Sequence, residues 1–152
     1  MNKYSADELF KIAYNYLQKK EFRKSANLFE KLINDFPENL SVLRNLANSY
    51  ALLGEFEKAE NYIKKIIKIN PHEPFAYQFL ASILKDQDKL GEAVSVIEEA
   101  LKKKLINEKW EIQKNLLFPK IPSNRDEIEK YRRKIKDEID RILNSNFKVM
   151  LN

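Results

Sequence analysis

The chain has 152 residues, 43% hydrophobic and 34% charged, with two glycines, one histidine and no cysteine. Lack of cysteine excludes disulfides and thiolate chemistry, and a lone His72 does not begin a zinc site, which takes three or four ligands. The net charge of +5 is uneven: residues 1–100 carry 14 basic and 15 acidic side chains, so the positive excess lies in residues 101–152, where attraction for an acidic partner would concentrate.

No apolar run approaches the roughly 18 residues that span a bilayer. MNKYSADELFKIAYNY has neither a continuous apolar segment nor a small-residue cleavage site, which points to a cytoplasmic protein. No Gly-rich phosphate loop, Ser-His or Cys-His pair or ligand cluster is present, so neither catalysis nor a cofactor nor a metal site is expected.

The chain is organised by a period of 34 residues. Pro37 and Pro71 are that far apart, as are Ala13, Ala47 and Ala81, and Phe22, Phe56 and Leu90. A fixed period of this size means stacked supersecondary units. In the first unit, 6–39, Leu9, Ile12, Ala13 and Tyr16 recur at helical spacing, with Ser5 as the N-cap and Glu8 as its reciprocal partner. A break near Lys20–Glu21 leads to a second helix with the stripe Phe22, Ala26, Phe29, Leu32 and Ile33, stopped by Pro37. So short a turn makes the two helices antiparallel.

The second unit, 40–73, repeats this with Leu43, Leu46, Ala47 and Tyr50, then Phe56, Ala59, Ile63, Ile66 and Ile67. Gly54 marks the turn between its helices. The third, 74–107, carries Tyr77, Leu80, Ala81 and Leu84, then Leu90, Ala93, Ile97, Ala100 and Leu101. Pro74 suits an early helical position. Its turn, DQDKLG, departs most from the pattern.

These units resemble tetratricopeptide repeats, whose signature is a series of large, small and aromatic residues at fixed places, closed by proline. Unit two supplies Leu43, Leu46, Ala47, Tyr50, Phe56, Ala59, Ile63, Ile66 and Pro71 at those places, and unit one supplies Leu9, Ile12, Ala13, Tyr16, Phe22, Ser25, Phe29, Leu32 and Pro37. Unit three has Leu90 for the aromatic and Leu105 for the proline. The resemblance implies an all-α solenoid of three helix-turn-helix repeats over residues 1–107. One unit cannot bury its own apolar face, so three units with terminal caps behave as one stack.

Residues 108–152 form a C-terminal extension. EKWEIQKNLLF (108–118) reads as a further helix able to turn Trp110, Leu116 and Leu117 onto unit three. A proline-paired linker, 119–122, prevents it from continuing. An amphipathic helix over 123–147 follows, capped by Ser123 or Asn124 with Asp126 or Glu127. Its stripe is Ile128, Tyr131, Ile135, Ile139, Ile142, Leu143 and Phe147. Two readings stay open for it: a cap over the end of the stack, or a seam for a second copy or another protein's helix. The basic run RRKIK (132–136) is interleaved with acids at four-residue spacing, as in Glu129–Arg133 and Lys134–Glu138, which marks a solvent-exposed helix rather than a nucleic-acid face. The segment FPKIPSNRDEIEKYRRK after NLLF also resembles the spacer of bacterial repeat-containing glycosyltransferases. That resemblance implies a repeat-and-spacer portion without a catalytic domain.

In the repeat family the first helix of each unit lines a concave groove. The matching places are Asp7, Phe10, Tyr14, Leu17 and Gln18; Ser41, Arg44, Asn48, Ala51 and Leu52; and Phe75, Gln78, Ser82, Lys85 and Asp86. Phe10, Tyr14, Leu17 and Phe75 are large residues that the packing pattern does not require, and such groups facing solvent mark interaction sites. With Arg44, Asn45, Asn48, Gln78 and Ser82 among them, the groove suits a peptide or helix of a partner protein. Co-chaperone repeats grip a terminal carboxylate with Lys, Asn and Arg. Here Phe10, Tyr14, Gln78 and Ser82 hold those places, so that clamp is absent. The Asn ladder of glycosyltransferase repeats is reduced to Asn45, between Lys11 and Phe79.

Overall fold

Ser5 opens the first helix by the reciprocal arrangement its sequence suggests: its Oγ accepts from the Glu8 amide at 3.3 Å while its own amide donates to Glu8 Oε2 at 2.8 Å. The Ser5 amide and hydroxyl, both donating to Glu8 Oε2, hold the Glu8 carboxyl below the usual carboxylate range. A computed structural model describes residues 4–117 and 122–144 of the chain. Among the described residues are eight α-helices and no strand: α1 (Ala6–Gln18), α2 (Phe22–Asp35), α3 (Leu40–Leu52), α4 (Phe56–Ile69), α5 (Pro74–Asp86), α6 (Leu90–Lys102), α7 (Glu108–Asn115) and α8 (Arg125–Asn144). Each helix packs on the next in chain order, and α1 also touches α3. This is the one-dimensional contact pattern of a solenoid.

The 34-residue period reappears as burial. Ala13, Ala47 and Ala81 are buried, as are Phe29, Ile63 and Ile97 on the second helices. A small residue where two helix backbones approach leaves no room for growth, so a larger side chain at Ala47 would overpack the site. One buried polar contact runs through the core, Ser25 Oγ to Ser49 Oγ at 3.1 Å, and Ser49 also donates to the Asn45 carbonyl at 2.8 Å. Both hydroxyls are thus satisfied, as burial requires.

Each intra-unit turn uses one left-handed residue, again 34 apart: Lys20 (φ 62°), Gly54 (φ 77°) and Asp88 (φ 61°). Only the central unit fills the place with glycine, for which this conformation costs least. A Cβ added at Gly54 would meet nothing within 4 Å, so substitution there costs backbone strain alone. Gly54→Ala is expected to destabilise by about 1–2 kcal/mol and Lys20→Gly to stabilise by less than about 1 kcal/mol. Urea unfolding followed by circular dichroism measures both.

Polar contacts fasten the junctions between units. From unit one to unit two, Arg23 pairs with Glu55 and the Tyr50 hydroxyl donates to Glu30. Burial, with that carboxylate as acceptor, pushes the Tyr50 phenol up. From unit two to unit three, Glu60 accepts from Gln87 Nε2 at 3.1 Å and Lys89 Nζ at 3.2 Å, besides Lys64 Nζ on its own helix at 2.6 Å.

The C-terminal extension agrees with its sequence reading in part. The helix expected over 108–118 ends at Asn115, and residues 118–121, with most of the proline-paired linker, lie outside the described set, as do Phe147 and its neighbours. It is α7 that lies on unit three: Trp110, Leu116 and Leu117 face Ala81 and Ile97 across a narrow cleft. The longer α8 meets α7 through a carboxylate. Glu138 is buried, accepting from Asn115 Nδ2 at 3.0 Å and Arg141 Nη2 at 2.6 Å. Ile128, Ile135, Ile139 and Leu143 of the apolar stripe are exposed. Ion pairs on α8 include Glu129–Arg132 and Glu138–Arg141, at three-residue spacing. Asn124 caps the helix by accepting from the Glu127 amide at 2.9 Å. Glu127 in turn accepts from the Tyr131 hydroxyl at 2.7 Å, which pushes that phenol up to about 12.

Candidate functional site

The first helices α1, α3 and α5 carry the residues expected to line the groove, and their surroundings divide them into three groups. Arg44 and Phe75 are brought together: the guanidinium lies over the Phe75 ring at 4.8 Å, while Arg44 Nη2 donates to Glu73 Oε1 at 3.3 Å. Glu73 sits immediately before α5, whose first residue is Pro74, so the same helix start that places Phe75 also places the anion that aims Arg44. The Arg44 side chain remains 42% exposed, although its Nε is buried without a hydrogen-bond partner. Phe79, one turn beyond Phe75, lies 5.3 Å from it at 44°.

Tyr14 is 45% exposed and Ser82 is also exposed, whereas Asn48 and Gln78 are half-buried. These are the side chains available to a ligand alongside the Arg44 head group. Ser82 reaches the cleft beside α7, where it lies with Lys85, Gln113 and Trp110. The chain's own α7 therefore forms one wall at the unit-three end.

Three residues are otherwise engaged. Leu17 is buried and is not an exposed groove residue. Because α1 packs on α3 as well as α2, an apolar side chain on that flank is covered. Phe10 is half-buried and sets its ring edge-on to Phe29 at 5.3 Å and 74°, a favourable aromatic geometry that makes it partly a core residue. Asn45 donates its amide to the Ser41 carbonyl at 2.8 Å, a local bond that satisfies its donor within the helix.

Sequence reasoning missed Glu73 and Phe79 as parts of this cluster. The signal for Phe79 was available, since aromatics four apart on a helix meet. Glu73 gave none, because its pairing with Arg44 spans 29 residues and depends on how α5 is seated.

Among the described residues there is no group of three or more His, Cys, Asp or Glu placed to hold a metal ion, and no helix is long and apolar enough to cross a membrane.

Two family models described as tetratricopeptide repeat match the chain, over residues 16–83 and 76–102. The human aspartyl/asparaginyl beta-hydroxylase is 27% identical over 79 residues, which are 52% of this chain and 10% of that protein. The chain thus spans only a small part of the length of such a relative. Among solved structures, the first repeat domain of Spaghetti (RPAP3), bound to the HSP90 peptide SRMEEVD, superposes with a TM-score of 0.59 at 19% identity, covering 87% of this chain and 91% of that one. MamA from Desulfovibrio magneticus gives a TM-score of 0.69 at 10% identity, covering 95% and 80%. At such identities the likeness concerns the fold.

Proposed function

The chain belongs to the tetratricopeptide repeat family, and we propose that it is a non-catalytic binding module that takes a peptide or helix of a partner protein along α1, α3 and α5. The observation that carries this is the Arg44 head group, aimed by Glu73 and laid on Phe75. A cation already held in place over an aromatic ring loses little freedom when a ligand arrives, and such pre-organisation favours binding. Tyr14 supplies an exposed ring that packing does not require. Neighbours of this fold support the class, since the Spaghetti domain holds a peptide. The ligand of this chain differs in chemistry from one gripped by its terminal carboxylate, because Phe10, Tyr14, Gln78 and Ser82 replace the clamp residues. Apolar side chains flanking a carboxylate or carbonyl for Arg44 fit the residues present.

Tyr14→Ala with Arg44→Ala tests the reading. Both side chains are substantially exposed, so the thermal midpoint should stay within a few degrees. Phe75 is left intact because it also packs against the core cluster. Capture of a partner from native cell extract should be lost. Undiminished capture by a folded double variant overturns the proposal.

A further inference from the structure

Among the described residues the outer face of α1 is uncovered, and the next unit shows what would complete it. In α3, Leu43, Leu46 and Tyr50 are 0%, 0% and 2% exposed, with α2 packed on that helix. Their counterparts 34 residues earlier, Leu9, Ile12 and Tyr16, are only half-buried. With Asn27 and Leu28 they line an open cleft of about 560 Å³.

The charged fittings around this cleft are also repeated. Lys24 lies over the Tyr16 ring at 5.3 Å as Lys58 lies over Tyr50 at 4.8 Å, and Glu21 pairs with Lys24 as Glu55 pairs with Lys58. On unit two these fittings are completed by α2: Arg23 joins Glu55, Glu30 accepts from the Tyr50 hydroxyl, and Phe29 and Ile33 are buried. On unit one, among the described residues, that complement is missing.

α8 carries the same series 110 residues further along: Arg133 for Arg23, Ile139 for Phe29, Asp140 for Glu30 and Leu143 for Ile33. Ile139 and Leu143 are 49% and 75% exposed, and Arg133 and Asp140 are exposed too. Lys136 stands where Ala26 does, so the likeness is one of stripe and charge and stops at the small residue.

We propose that α8 of one copy docks in the open cleft of unit one of a second copy, in the way α2 lies on α3, linking copies head to tail. Arg133 would meet Glu21, and Asp140 would accept from the Tyr16 hydroxyl. The two surfaces are different patches at opposite ends of the array, so the contact is heterologous and adds copies in series unless it closes into a ring. It leaves Arg44, Tyr14 and Phe75 untouched.

Sedimentation velocity of the full chain, from micromolar to millimolar concentration, tests this. The average mass of the wild type should rise with concentration. Ile139→Glu, on an exposed position, should weaken association roughly tenfold or more, and Asn27→Arg should do the same by blocking the cleft. Circular dichroism should show both variants folded. Mixing them leaves one intact stripe and one intact cleft, so the mixture should form a heterodimer and stop there. Arg133→Glu should weaken association roughly two- to fivefold, with Glu21→Arg restoring it. A wild type that stays monomeric throughout overturns the proposal. So does association that survives Asn27→Arg, or variants that fail to restore each other on mixing, since both point to α8 pairing with itself.

Discussion

Ile63→Ala is expected to lower the stability of the protein by about 2–5 kcal/mol, the cost of a lost buried side chain plus the cavity it leaves. Ile63 is fully buried on α4, which packs on both α3 and α5. The cavity therefore opens at the middle of the stack and weakens the coupling on both sides. In a solenoid, stability is close to a sum of unit terms and nearest-neighbour terms, so the central position should be costlier than Ile97, its counterpart on α6. In urea, the midpoint should fall by roughly 1–3 M at the slopes usual for small domains. A fall at Ile97→Ala equal to or larger than that at Ile63→Ala would show that the junctions do not couple through the centre.

Glu60→Gln is expected to cost about 2–3 kcal/mol at neutral pH. Burial alone would raise the Glu60 carboxyl, but hydrogen bonds from Lys64, Gln87 and Lys89 outweigh it and hold the pKa at about 2. The folded value lies below the 4.5 of an unperturbed glutamate, so the stabilisation is complete above that pH and is lost as pH falls toward 2. The glutamine variant has no such carboxylate to protonate. Its stability should therefore approach that of the wild type across that window. Glu55, Glu99 and Glu138, also lowered by their cationic partners, titrate in both proteins, so the difference isolates Glu60. Parallel curves for the two proteins through the acid range would mean that Lys64, Gln87 and Lys89 together do not hold the carboxylate in solution.

The fold was legible because its signal is redundant. Ala13, Ala47 and Ala81 state the same packing requirement three times, and Ser5 with Glu8 marks the first boundary by a local rule. What was illegible depends on contacts distant in sequence. Nothing in the letters says that Lys20 and Asp88 take the left-handed conformation of Gly54; the helices on either side impose it. Glu60 reads as a solvated helix residue until Gln87 and Lys89 arrive from the next turn. In the groove, position within the repeat singled out Tyr14 and Arg44, but it could not show that Leu17 is covered or that Phe10 leans on Phe29. On α8 the period shows which side is apolar, but not that Glu138, at the edge of that stripe beside Tyr131 and Ile142, is the residue that bonds Asn115 of α7.

That last contact sets how the two ends of the molecule come apart. The helices of the array are held by hydrocarbon, so separating them wets apolar surface and draws a large heat-capacity change. The α7–α8 contact includes a buried carboxylate among amide and guanidinium groups, which water can replace nearly in kind. Opening at that carboxylate exchanges protein hydrogen bonds for hydrogen bonds to water, which contributes less heat-capacity change than wetting hydrocarbon does. The terminal arm is thus the part of the molecule expected to open first, by fluctuations that leave the repeats intact.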